Sequence, residues 1–307
     1  MEKLRNWWRI FVFFLFKILR VKGHGISILV PLHLSEPTGH RADSWHWLNS
    51  YWRKALPGSE IILGEDIEAV QNHAPFSKSV AVNDAVSKAH GDIFAIVDAD
   101  TCISAEAILL CAEEIRHASK NGWRLWFVPY RKLFRLTEEA SRKIINTDPK
   151  QLILAHVPDE NDYINKDKYE GEPISAIGHW YGAMIQIIPR KGFEEVGGWD
   201  PRFRGWGGED HAAMVAADTL FGPHKTLPGP VFHLWHPVFI PNAADDTKQK
   251  KRLWANQISG ETNDSLSGRY YWSNGHPDRM RQLINEFKDN IPSPQRKHIP
   301  PATDVSL

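Results

Sequence analysis

At 307 residues the chain can bury one large core or two smaller ones, and 42% hydrophobic with 24% charged residues is ordinary for a globular protein. Lys+Arg and Asp+Glu both number 37, so net charge gives no argument for a nucleic-acid partner, and none is expected. The two cysteines, Cys102 and Cys111, cannot form a disulfide framework and read as small buried side chains in a reducing compartment.

The chain opens with WWRIFVFFLFKIL (Trp7–Leu19), flanked by Lys3, Arg5, Arg20 and Lys22. Its uncharged run, Ile10–Phe16, is too short for a membrane span, and no small-residue cleavage site follows. At helical period Arg5, Arg9, Lys17 and Arg20 share one side, opposite a broad aromatic and aliphatic face. That pattern suits the plane of an anionic membrane, so residues 1–22 are expected to make peripheral membrane contact from the cytoplasmic side. The competing reading is a helix packed on the protein's own core or on another subunit.

From Gly25 strands and helices alternate. Ile26–Val30 is a buried-strand run closed by Pro31. Asp43–Lys54 is helical through Trp45, Leu48 and Trp52, and Glu60–Leu63 is the next strand. Ser77 caps a helix to Ala89, Ile93–Val97 is a third strand, and Ser104 caps another helix. Further on, Trp123–Val128 and Ala183–Ile188 read as strands and Asp210–Leu220 as a helix. The polar stretch from Thr147 to Gly178 reads as a long loop or flap. The expected parse is an amphipathic helix at 1–24, one α/β domain at 25–290 with helices on both faces of a mostly parallel sheet, and a disordered tail at 291–307. Ligands of such sheets sit beyond the carboxyl ends of the strands.

Three constellations carry chemistry. Asp98-Ala99-Asp100 follows the third strand, where two carboxylates spaced i, i+2 can turn into the crevice and hold a hard divalent cation. As a bare triplet it could equally be an acidic turn. Val196–His211 (VGGWDPRFRGWGGEDH) sets flexible glycines and the flat faces of Trp199 and Trp206 before Glu209-Asp210 at a helix start. The helix dipole alone would favour acids there. A base that accepts a hydroxyl proton also needs such a fixed element. Finally, His233-Leu234-Trp235-His236 offers two imidazoles suited to Mn²⁺ or Zn²⁺, or else a packed histidine pair.

VDADT followed downstream by GGWDPRFRGWGGED resembles the GT-A glycosyltransferases. The likeness is strongest to family-two-like inverting enzymes and to the carboxyl-terminal part of the β-1,4-galactosyltransferases and polypeptide N-acetylgalactosaminyltransferases. It runs from about Ile26 to Pro237, and WGGED is its specific part. The resemblance implies a single GT-A domain, Rossmann-like with a mixed sheet. It places a Mn²⁺ (or Mg²⁺) ion on Asp98, Asp100 and a histidine, either His233 or His236, with His236 preferred. It makes Asp210 the general base and gives Glu209 the acceptor or donor sugar. Glu65, Asp66, Lys78, Asn83, Asp98, Trp206, Gly207 and Gly208, with Pro31-Leu32-His33, are expected around the donor. Where the galactosyltransferase pattern continues with another acid this chain has His211, so acceptor and donor sugar are not carried over.

The implied reaction is a single inverting displacement that moves a hexose or N-acetylhexosamine from a nucleotide-sugar, a UDP-sugar first, to a glycan, lipid-linked or protein acceptor. A catalytically inactive scaffold of the same fold is the alternative. A sugar nucleotidyltransferase fits less well, because His33–His40 is not a Gly-rich, basic phosphate loop.

Overall fold

The computed structural model describes residues 23–32, 39–72, 74–148, 163–164, 184–205, 207–227, 229–237 and 261–288. The expected N-terminal helix, most of the polar segment after Thr147, His33, Trp206 and the tail lie outside these residues.

Three parallel strands, β1 (Ile26–Pro31), β2 (Glu60–Gly64) and β3 (Ile93–Val97), lie in the order β2-β1-β3. β1 and β3 are buried along their whole length, which is why their sequences are near-continuous apolar runs, broken only by Ser27, rather than alternating ones. β2 forms the sheet edge and is only partly buried. Helix α1 (His40–Ala55) connects β1 to β2. The short α2 (Ile67–Asn72) and α3 (Lys78–Lys88) connect β2 to β3. The first crossover moves from β1 to β2 and the second returns from β2 past β1 to β3, so right-handed connections put α1 and α3 on opposite faces of the sheet.

Local signals hold at the helix starts. Ser77 Oγ accepts from the Val80 amide at 3.2 Å, and Ser104 Oγ accepts from the Ala107 amide at 3.1 Å, opening α4 (Ala105–Lys120). At the end of β2 a Cβ on Gly64 would stand 1.8 Å from the Ala81 carbonyl, so only glycine lets α3 approach the strand this closely.

The rest of the framework comprises β4 (Thr101–Cys102), β5 (Phe127–Val128), β6 (Lys132–Leu136), α5 (Glu138–Ile145), β7 (Tyr163–Ile164), β8 (Ile185–Pro189) and α6 (Arg190–Val196). It continues through α7 (Glu209–Leu220), β9 (Lys225–Thr226), β10 (Pro230–His233), α8 (Asn263–Ser273) and α9 (Pro277–Lys288). The main sheet runs β2-β1-β3-β8-β5-β9, and β8 alone runs against the others. The fold is therefore the expected α/β class with a mixed, mostly parallel sheet. A second sheet, β4-β10-β6-β7, stands beside it.

The strand expected over Trp123–Val128 shrinks to Phe127–Val128. The Trp123 amide instead donates to the Ala118 carbonyl, completing the turn that ends α4, and its indole is 66% exposed. One hydrophobic cluster runs from Ile26 to Phe287, joining both ends of the described chain. Among the described residues no helix is long and apolar enough to cross a membrane.

Candidate functional site

The strand order reverses direction between β1 and β3, and the crevice beyond their carboxyl ends is where such sheets bind ligands. β3 ends at Val97 and the chain turns at once, with the Thr101 amide donating to the Asp98 carbonyl at 3.0 Å. β4 follows and pairs antiparallel with β10, setting His233 opposite Thr101. The Leu234 amide then donates to the Asp100 carbonyl at 2.7 Å. Backbone pairing thus carries the HLWH segment to the acidic turn.

The result is a compact donor set. One ligand atom each from Asp100, His233 and His236 lies within 4.8 Å of the others. His236 Nε2 is 3.2 Å and His233 Nε2 3.6 Å from the Asp100 carboxylate. Burial pushes the His233 imidazole down to about 4 despite the opposing charge of Asp100, which leaves it neutral with a lone pair to give. Burial works against the Asp100 carboxylate too, but His233 and His236 outweigh it and hold it below the ordinary range. A neutral imidazole beside an ionised carboxylate is the protonation state a divalent ion requires. Both histidines, between which the sequence offered a choice, belong to the cluster. Arg41 on α1 completes its surroundings, its guanidinium 3.3 Å from the His236 ring.

Asp98 goes elsewhere. It lies outside that cluster, 2.5 Å from Lys78 Nζ, and the same ammonium stands 2.6 Å from Asp210. Burial pushes the Asp98 carboxyl up to about 6, against Lys78 and with Asp100 adding to the rise. Burial raises Asp210 well above the usual carboxylate range too, again against Lys78, with Glu209 and Asp98 as like-charged neighbours. The Lys78 ammonium is held charged because these acids outweigh its own burial. A carboxylate moved upward in this way is a stronger base than an ordinary one.

Asp210 and Glu209 open α7, the Glu209 carboxylate accepting from the Gly207 amide at 3.1 Å. Gly207 and Gly208 have φ of 109° and 96°, in the left-handed region that glycine tolerates. A Cβ on Gly208 would also stand 2.1 Å from Ser267 Oγ of α8.

The loop leading to these acids is pinned from both sides. Asn83 on α3 donates to the Trp199 carbonyl at 2.7 Å and accepts from the Trp199 amide at 2.9 Å. Ser77 Oγ donates to the Phe203 carbonyl, and Asn263 of α8 donates to the Arg204 carbonyl. Asp200, buried, takes a two-pronged bond from Arg202 and another from the Tyr270 hydroxyl at 2.9 Å. Asp66 is buried beneath the same loop. It accepts from the Ala69 and Ser77 amides and from Arg204 at 2.8 Å. Of the residues expected at the donor, Asn83 thus bonds the loop that carries Glu209 and Asp210, and Asp66 bonds the start of α2, the Ser77 amide and, through Arg204, the same loop. Glu65 is exposed, its backbone amide donating to Asp84.

Sequence reasoning missed Arg41, Arg204 and Tyr130. Tyr130 is buried, accepts from the Met184 amide at 3.1 Å, and is close enough to feel the charges of Asp210 and Asp98. Arg41 and Tyr130 come from separate elements with no motif of their own, and Arg204, although inside the quoted glycine-tryptophan segment, gives no sign of its partner. Cys102 and Cys111 are free and buried, as expected.

An α/β crevice with a carboxylate–imidazole cluster on one side and helix-borne acids on the other is the class that fold and site define. No protein-family model matches the chain, and no protein of curated function does. Among solved structures it is similar to the catalytic domain of Drosophila β-1,4-galactosyltransferase 7 in complex with xylobiose. Identity there is 14%, covering 67% of this chain and 64% of that one, with a TM-score of 0.33. It is also similar to glucosyl-3-phosphoglycerate synthase from Mycobacterium tuberculosis in complex with Mn²⁺, UDP-glucose and phosphoglyceric acid. There identity is 11%, 77% of each chain is covered, and the TM-score is 0.39. The chain thus spans less than two thirds of the galactosyltransferase domain it matches. Likeness at this level leaves function to the chain's own residues.

Proposed function

We propose that the protein is a metal-dependent, inverting glycosyltransferase of the GT-A type, taking a hexose or N-acetylhexosamine from a nucleotide-sugar to an acceptor hydroxyl. One observation carries this reading: Asp100, His233 and His236 converge at the end of β3, and Lys78 links the adjoining Asp98 to Asp210 at the start of α7. The donor set fits Mn²⁺, because imidazole nitrogen favours a transition ion over Mg²⁺. Held there, the ion would offset charge developing on a departing nucleoside diphosphate.

Asp210 takes the proton of the acceptor hydroxyl, and its place at the first turn of a helix fixes its direction. Glu209, its neighbour, binds the acceptor or the transferred sugar. Trp199, buried, backs Lys78, its ring 5.6 Å from Nζ. Residues 1–22 bring the site to an anionic membrane surface that displays the acceptor. That part is tested by flotation with anionic vesicles, from which a chain lacking Met1–Lys22 should stay behind.

The enzyme reading is tested by thermal shift with Mn²⁺ across a panel of nucleotide-sugars, UDP-sugars first, followed by donor turnover. Mass action makes a bound donor visible as a raised Tm. Stabilisation with turnover is the expected outcome. Stabilisation without hydrolysis or transfer for any donor would replace the enzyme by a non-catalytic scaffold.

A further inference from the structure

The two carboxylates of the Asp98-Ala99-Asp100 turn have different partners. Asp100 meets His233 and His236, while among the described residues Asp98 meets only the Lys78 ammonium as a charged group of opposite sign. Lys78 is not free to leave. It occupies the first turn of α3, just after Ser77, whose hydroxyl ties that helix to the Phe203 carbonyl. One turn on, Asn83 clamps the same helix to both backbone polar groups of Trp199. The side chain is largely buried, and a buried ammonium is tolerable only with partners, here Asp98 and Asp210 on two of its three protons.

Building on the metal-dependent reading above, we propose that Lys78 is a positioning residue that holds Asp98 toward Asp210 and out of the metal's coordination. The acidic turn is thereby divided, Asp100 serving the ion and Asp98 serving the base. Without the ammonium, Asp98 loses its counter-charge beside a divalent ion held only two residues away. The ion then gains a fourth protein ligand and binds more tightly, and the base loses its anchor.

The test is Mn²⁺ affinity of the nucleotide-free protein, read by electron paramagnetic resonance of free Mn²⁺, on variants shown by circular dichroism to be folded. Lys78→Gln should tighten Mn²⁺ by at least about tenfold, since a unit positive charge leaves the neighbourhood of a dication and a carboxylate joins it. Lys78→Met is measured beside it and should behave alike if the Gln variant folds poorly. Lys78→Arg, keeping the charge, should restore wild-type affinity. Asp98→Asn alone, which leaves the Lys78 charge uncompensated near the ion, should not tighten binding, and in the Lys78→Gln background it should abolish the gain, as coupled neighbours do in a double-mutant cycle. Unchanged or weaker Mn²⁺ binding by Lys78→Gln, or a gain that survives Asp98→Asn, overturns the proposal and leaves the metal site standing. A wild-type protein that binds no Mn²⁺ overturns the metal-dependent reading itself.

Discussion

Replacing Asp66 by alanine separates what its sequence position suggests from what its surroundings require. Its side chain is fully buried, with one oxygen accepting from the Ala69 amide and the other from the Ser77 amide and Arg204. Alanine removes the cap at the start of α2, worth about 1 kcal/mol, and leaves the Ser77 amide with one partner fewer. Breaking a buried ion pair from one side costs about 3–5 kcal/mol. Arg204 keeps Glu68 at 3.1 Å, which places the pair near the lower end of that range and the total, cap included, at about 4 kcal/mol. At about 2–4 °C per kcal/mol for a domain of this size, Tm should fall by roughly 8–16 °C. Urea unfolding followed by circular dichroism and a thermal scan measure both quantities, and donor KM is taken on the same samples below the transition. A variant within about 1 kcal/mol of wild type would refute the structural role. Should such a stable variant also lose donor affinity tenfold or more, Asp66 would return to the donor wall.

Asp210→Asn should keep donor affinity and cut turnover by about a hundredfold or more, the usual worth of a general base; near-normal turnover would move the role to Glu209. Asp100→Asn and His236→Ala should each abolish or greatly weaken Mn²⁺ binding, measured by calorimetry, with little change in the far-UV spectrum, because they line a crevice rather than the core. The His211 imidazole is pushed by burial from 6.5 down to about 4, so between those pH values the unfolded chain holds a proton that the folded one refuses. Stability is therefore full above pH 6.5 and lost as pH falls toward 4. His211→Gln should lose about 2 kcal/mol less than wild type between pH 7 and pH 5 in urea titrations. An unaltered acid slope would show that His211 is protonated in the folded protein.

The first half of the fold was readable because its strands are buried on both faces and its helices carry caps. Ile93–Val97 falls where its apolar run ends, and Ser77 and Ser104 cap as serines before helices do. β4, β5 and β9 have two residues each, too few for any period, and only their pairing partners make them strands. α9 did leave a signal, Met280, Leu283, Ile284 and Phe287 at helical spacing and all buried, in a region that sequence reading left undivided. At the site, residue types were legible and partners were not. An aspartate after a strand looks the same in sequence whether it will face a ligand or Arg204, and an asparagine on a helix gives no sign that it will bond the Trp199 backbone. Asp98 and Asp100 share one short motif, yet Lys78 on α3 and the imidazoles at and just past the end of β10 draw them apart.

The pairing of β4 with β10 also bears on how the site comes into being. β1, β2 and β3 are near neighbours along the chain and can form their sheet from local crossovers as synthesis proceeds from the N-terminus. Asp100 emerges with that early sheet, whereas His233 and His236 arrive only after β8, α7 and β9 have been made. The cluster is thus closed by a long-range contact, and its loop-closure entropy must be met by packing that the ion does not supply. The scaffold can mature before its chemistry does. Substitutions in the HLWH segment should therefore reach the cell as folded, abundant and inert protein, while equivalent damage to β1 or β3 should be cleared before it is ever inert.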